Sequence, residues 1–217
     1  MSETPERSAT TADGLSARGR ATRTRLLTEA RTVILSGGGS LEVAEVARRA
    51  EVSAGLLYRY FGNKNGLVAA VVNEFYDSYD AEVFATRMSG PGSWTRRERD
   101  RMRREIDFLC DDPLGRVIVG RRLREPAAAQ VDAERLARQI GIAARSIAKG
   151  QREGELDAAV RPGFAAAALL GAFRELMAEA LSGGDADPPR AELLDVMWRA
   201  GSSLLVQSPA RDSSSSR

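Results

Sequence analysis

Histidine is absent from the 217-residue chain. With it go the commonest metal ligand, the commonest general base and the side chain suited to sensing pH near neutrality. Ser-His-Asp and Cys-His catalysis are excluded. Cysteine occurs once, at Cys110, which rules out an intrachain disulfide and a thiolate metal cluster. Lysine is nearly missing: Lys64 and Lys149 are the only two among 32 cations. No run of about 18 apolar residues exists, so no membrane span and no membrane partner are expected. Met1–Gly19 lacks the basic-then-apolar order of a secretory signal, and a cytoplasmic location is the expectation. An enzyme would have to use carboxylates, Lys or Tyr, and no pair of these stands out. We therefore expect no catalytic residues, no metal and no cofactor.

What is present suffices for one or two soluble domains: 43% of residues are hydrophobic and 29% charged. The net charge of +2 is spread unevenly. Residues 1–65 carry ten Lys and Arg against seven Asp and Glu, while residues 66–217 carry 22 against 23. Residues 1–19 and 208–217 have few large apolar side chains and are expected to be disordered.

Between these ends the apolar spacing is helical almost throughout, and no alternating strand pattern of convincing length occurs, so the fold class is all-α with about nine helices. Leu26, Leu27, Ala30, Val33 and Ile34 stripe a first helix over about Thr22–Leu35, stopped by Gly37-Gly38-Gly39. Ser40 is expected to cap a second helix over Leu41–Arg49, and Ser53 a third over Ala54–Phe61. A long fourth helix starts near Lys64 and runs through Phe75 to Tyr79. Beyond the Ser89–Gly92 loop, helices are expected over Trp94–Cys110, from Pro113 to Arg124, from Pro126 to a loop beginning at Gly150, over Pro162–Leu181 and over Arg190–Val206.

The stretch that carries chemistry is Leu41–Lys64. Two short helices joined by a tight turn form a helix-turn-helix, which lays its second helix in the DNA major groove. Val43, Val46 and Ala47 would face Leu57 and Phe61, with Val52 plugging the angle between the helices. The outer face of the third helix then has a role for each residue. Ser53 offers a hydroxyl at a helix N-terminus that attracts phosphate. Ala54 and Leu56 suit thymine methyl groups, and Arg59 suits guanine or the backbone. Tyr58 and Tyr60 present phenols to phosphates, and Lys64 is placed for a further phosphate contact. Gly55 weakens the helix by about 0.5–1 kcal/mol, which close approach to DNA would explain. Arg18, Arg20, Arg23 and Arg25 form a basic arm ahead of the motif. The alternative is an ordinary amphipathic helix pair with Tyr58, Tyr60 and Phe61 as core aromatics.

The segment ARRAEVSAGLLYRYFGNKNGL resembles the signature of the tetracycline-repressor (TetR) family of bacterial transcriptional regulators. Ala47, Ala50, Val52, Ser53, Gly55, Leu57, Tyr58, Tyr60, Phe61, Lys64 and Leu67 fall on the family pattern, and the likeness covers about Arg20–Phe75. It implies a helix-turn-helix DNA-binding domain over 20–66 and a helical effector-binding and dimerisation domain over 67–207. It also implies a homodimeric repressor that a small-molecule effector, whose identity is not legible, releases from a palindromic double-stranded DNA operator. Arg23 joins the contacts above as a candidate DNA ligand. Two departures stand out. Glu51 occupies the usual turn glycine, and Leu41-Glu42 replace the usual threonine at the start of the second helix.

The resemblance also implies an effector pocket, for which the candidate lining is Trp94, Met102, Ile106, Phe108, Val117, Ile118, Ile142 and Phe173. Each of these also fits ordinary core packing. The arginine-rich run Arg96–Arg104 reads as a solvated helix face or, alternatively, as a site for an anionic ligand such as an acyl-coenzyme A. The last two helices, with Leu169, Phe173, Met177, Leu193, Met197 and Trp198, are the expected dimer interface, pairing as a four-helix bundle. The rival function is a helical small-molecule binding or carrier protein that has lost DNA affinity.

Overall fold

A computed structural model of the chain describes residues 14–84, 92–120, 123, 125–183 and 187–206. The expected disorder before Gly14 and after Gln207, the Ser89–Pro91 part of the expected loop, and Arg124 lie outside the described residues. Among the described residues nine α-helices occur and no strand. They are α1 (Ala17–Ser36), α2 (Val43–Arg49), α3 (Ala54–Phe61), α4 (Lys64–Tyr79), α5 (Trp94–Asp111), α6 (Pro113–Ile118), α7 (Pro126–Arg152), α8 (Pro162–Ser182) and α9 (Arg190–Leu205).

Side-chain caps start most of the N-terminal helices. Ser16 accepts from the Gly19 amide, Ser53 from Leu56, Asn63 from Gly66 and Ser93 from Arg96. Asp112 caps α6 through the Leu114 amide. Pro126 and Pro162 open α7 and α8, where a missing amide hydrogen costs nothing.

Four boundaries differ from the sequence-based expectation. α1 begins at Ala17 because Ser16 caps it, so the last residues of the expected arm are helical. α2 begins at Val43, not Leu41: Leu41 stays outside the helix with its side chain fully buried, and the N-cap is Glu42, which makes no side-chain cap. Ser40 is therefore not the cap. α6 stops at Ile118 rather than Arg124, in a turn through Val119 and Gly120. α7 continues through Gly150 to Arg152. There the glycine is a packing residue, since a Cβ would lie 2.7 Å from Leu156 Cδ1.

One apolar cluster joins the first four helices to the rest. It takes Leu26, Ala30 and Ile34 from α1, Val46 and Ala47 from α2, and Leu57 and Phe61 from α3. Through α4 it passes Leu67, Val71 and Phe75 and reaches Ile106, Leu114 and Met177. A smaller cluster around Trp94, Ile147, Leu156, Ala166 and Leu205 lies at the other end of the C-terminal helices. Polar clamps reinforce α4. Arg135 of α7 donates to Asn73 Oδ1 at 2.7 Å and Asp77 Oδ1 at 2.6 Å, and pairs with Asp80 at 3.1 Å. Tyr76 donates to Asp132, which also holds Arg174 of α8. After α4 the chain widens into a π-helical turn, Asp80–Phe84, which buries Val83 in the core.

Candidate nucleic-acid interface and cavity

The helix-turn-helix forms as its apolar spacing predicts. Leu57 is wholly buried and Phe61 nearly so, with Val46 and Ala47 beneath them, while Val43 and Val52 pack at the edge. Burying Leu57 stabilises the docked helix by about 1.5–3 kcal/mol. The turn contains the single non-glycine residue with positive φ among those described, Glu51 at 51°. That left-handed conformation is where the family pattern has glycine. The next turn is as tight: a Cβ on Gly66 would lie 2.0 Å from the Phe61 carbonyl oxygen, so α3 and α4 meet only because residue 66 has none. Gly66 carries a packing role that the sequence reading passed over.

Anchoring the inner face leaves the outer face of α3 to solvent. Ser53, Ala54, Tyr58 and Arg59 are exposed, Tyr58 by 44%. The Ser53 oxygen accepts from the Leu56 amide at 3.2 Å, which leaves its hydrogen for a partner. Leu56 and Tyr60 are half-buried, and the Tyr60 ring lies 6.3 Å from that of Phe61, so much of it belongs to the helix seam. A Cβ at Gly55 would meet nothing nearer than the Ser53 oxygen at 3.9 Å. Packing within the chain therefore gives no reason for glycine there.

The cations around this face are not equally free. Arg48 and Arg49 hydrogen-bond to Glu45 and hold its carboxyl down at about 2. Arg23 lies over the Phe61 ring at 5.4 Å, tying α1 to α3. Lys64 reaches Glu125, just before α7, with Nζ 2.9 Å from Oε1. Arg59 has no ion pair among the described residues. A second link crosses between the same two regions, from Arg31 of α1 to the α6 cap Asp112.

At the junction of the two apolar clusters, α5, α7, α8 and α9 enclose a cavity of about 80 Å³. Trp94, Met102, Ile142 and Phe173, four of the eight expected lining residues, border it. Ile106, Phe108, Val117 and Ile118 do not; they belong to the core on the other face of α5 and around α6. Phe108 packs there against Phe75 and Tyr79, each with ring centroids 5.6 Å away. The wall also includes Phe84, Trp198, Gly201, Leu205 and three charged residues of α5: Glu98, Arg101 and Glu105.

These three form an ion cluster in which Arg101 and Glu105 are buried and Glu98 is half-buried. Arg101 donates to Glu98 Oε1 at 2.6 Å and to Glu105 Oε2 at 2.7 Å, and lies 5.0 Å from the centre of the Phe84 ring. Tyr79 donates to the second Glu105 oxygen. Burial weakens the charged form of Arg101, but Glu98 and Glu105 outweigh it, and the pKa lies well above the usual arginine value. Burial, and behind it the charge of Glu105, push the Tyr79 hydroxyl well above its ordinary range, so it remains a donor. The expectation of a solvated arginine face is thus wrong at Arg101. The missed signal was spacing: residues 94, 98, 101, 102 and 105 share one helix face.

Residues 26–71 match the model of the bacterial regulatory proteins of the tetR family. That segment is similar to the helix-turn-helix domain of this family. Solved structures agree along most of the chain's length. A TetR-family transcriptional regulator of Mesorhizobium loti superposes with a TM-score of 0.67 at 22% identity, over 89% of this chain and 100% of that one. SmeT, the repressor of the multidrug efflux pump SmeDEF of Stenotrophomonas maltophilia, gives 0.70 at 16% identity over 86% and 91%. FadR, the fatty acid degradation regulator of Bacillus halodurans, gives 0.68 at 16% over 82% and 97%. At these identities the likeness is one of fold. A comparison with curated protein sequences finds no match.

The fold and the match of its N-terminal helices support a DNA-binding transcriptional regulator, and no helix among the described residues is long and apolar enough to cross a membrane. The α8–α9 surface departs from the expected one. Phe173, Met177, Leu193 and Met197 are at most 5% exposed within the protomer, turned inward toward the cavity and core. Leu169 and Trp198 are half-buried. The apolar side chains that do face outward are Phe164, Val196 and Leu204, with the exposed Ala168, Ala172 and Ala200 beside them.

Proposed function

We propose that this protein is a homodimeric, ligand-responsive transcriptional repressor that leaves a palindromic operator when a small-molecule effector enters the α5–α9 cavity. The observation that carries the reading is the outer face of α3. Ser53, Ala54, Tyr58 and Arg59 stand in solvent on a helix whose other side is clamped by Leu57 and Phe61. Gly55 on the same face has no internal neighbour that requires it. In this reading Ala54 and Leu56 touch thymine methyl groups and Arg59 reads guanine. Ser53, Tyr58, Tyr60, Lys64 and Arg23 hold phosphates. The protein acts by binding rather than by catalysis, in the cytoplasm where its DNA lies.

The dimer face is the exposed stripe of α8 and α9 around Phe164, Ala168, Val196 and Leu204, in place of the buried residues first expected. A two-fold dimer presents its α3 helices about 34–36 Å apart or further, matching successive major grooves. Trp94, Met102, Ile142 and Phe173 form the apolar wall of the effector site.

The rival reading, a carrier without DNA affinity, predicts no sequence selection. Selection of random duplexes by the full chain should enrich an inverted repeat. Its affinity should fall steeply as salt rises, because bound phosphates release counterions. Failure to enrich any repeat, with weak binding to all duplexes, would favour the carrier.

A further inference from the structure

We propose, on the reading of the cavity as the effector site, that the effector is a lipophilic cation: an amine or quaternary ammonium group on an apolar body. The charged residues lining the cavity are Glu98, Arg101 and Glu105, two carboxylates to one guanidinium. Their hydrogen bonds are not shared evenly. Both oxygens of Glu105 are occupied, one by Tyr79 and one by Arg101. Glu98 takes both of its bonds from Arg101 on a single oxygen, Oε1. Its Oε2 accepts no hydrogen bond among the described residues. The Glu98 side chain is only 16% exposed.

A carboxylate with one free oxygen beside an apolar cavity favours a positive partner, because Arg101 is shared between two carboxylates and leaves the cluster one negative charge in excess. The rest of the wall suits such a ligand. Trp94 and Phe173 supply aromatic surface that attracts cations as well as apolar groups, while Phe84 and Trp198 already carry Arg101 and Arg99. An anion finds the opposite. The one guanidinium on this wall is already held by both glutamates, so an anionic headgroup would have to break a buried pair and then face two carboxylates.

The chain reports its own test, because both of its tryptophans, Trp94 and Trp198, border the cavity. Octyltrimethylammonium, 1-nonanol and nonanoate share a similar apolar length and differ in charge. Each is titrated into the full-length protein, following tryptophan fluorescence and release of a selected operator. The cation should bind roughly tenfold more tightly than the alcohol, and nonanoate most weakly. Glu98→Gln should remove the cation's advantage and leave the alcohol unchanged. Because Glu98 also holds Arg101, the melting temperature of the variant serves as the folding control. The ranking of the three probes on the unaltered protein stands without any variant.

If the alcohol or nonanoate binds as tightly as the cation, or Glu98→Gln leaves the cation's affinity within about twofold, the cation is overturned while the cavity keeps its effector role. If none of the three moves the fluorescence or releases DNA, the cation and the effector reading of the cavity both fall.

Discussion

Arginines of α3 and α5 meet opposite environments. Arg59 stands exposed on α3 with no ion pair among the described residues, open to an external anion. Arg101 on α5 is buried, forked between Glu98 and Glu105 and laid over Phe84. The difference lies in their neighbours one helical turn away. Arg59 is next to residues that solvent keeps, whereas Arg101 has a glutamate three residues before it and another four after it, on the face that carries Trp94 and Met102. A charged residue therefore declares its work through its helix face more than through local composition.

The two arginines should differ most in what they contribute to stability. Arg101→Ala should destabilise the protein by about 3–5 kcal/mol, because it strands the buried Glu105 carboxylate and unpairs the half-buried Glu98. Arg59→Ala should change stability by no more than about 0.5 kcal/mol. Chemical denaturation of both variants checks the contrast, and equal effects would mean that Arg101 is as solvated as Arg59.

Two glycines should differ in the same way, one packed against the chain and one facing out. Gly66→Ala forces a Cβ against the Phe61 carbonyl and should cost about 1–3 kcal/mol. Gly55→Ala should raise stability by about 0.5–1 kcal/mol while weakening operator binding. A Gly55→Ala variant that binds DNA as well as the parent would remove the close approach we assign to that residue. Of similar size is Glu51→Gly. It relieves a left-handed conformation worth about 1 kcal/mol, so the melting temperature should rise by about 2–4 °C. An unchanged or lower melting temperature would count against that turn geometry.

The smallest effect concerns Lys64, which in this structure is held by Glu125. A phosphate must compete for it. Glu125→Gln should therefore raise affinity for all duplexes by up to about fivefold, and Lys64→Ala should lower the salt dependence by about one counterion. Binding measured across a salt series on specific and unrelated DNA separates the two.

Much of the N-terminal region was legible in the sequence. The 3.6-residue period of Leu26 to Ile34 and the inward set Val46, Ala47, Leu57 and Phe61 needed only local rules. The outward set of α3 then followed by elimination. The family signature supplied the link from that face to DNA. Less was legible beyond α4. Ile106, Phe108, Val117 and Ile118 are as apolar as the true cavity residues, and only the rotation of α5 against α4 and α6 decides which face meets the cavity. Met177, Leu193 and Met197 mark an inward stripe rather than a dimer face for the same reason. Lys64 joins a residue 61 positions away; helical period alone does not bring Glu125 to it. The charges of α5 could have been placed, because Glu98, Arg101 and Glu105 fall at helical spacing with Trp94.

The proposed function requires α3 to hold a duplex through its exposed side chains. The most direct measurement compares the parent with a Tyr58→Ala, Arg59→Ala double variant on a selected operator and on unrelated DNA. Melting temperatures are matched first. The parent should prefer the operator strongly, and the double variant should bind both duplexes at the same weak level while remaining as stable. A double variant that keeps the parent's preference for the operator would contradict the account.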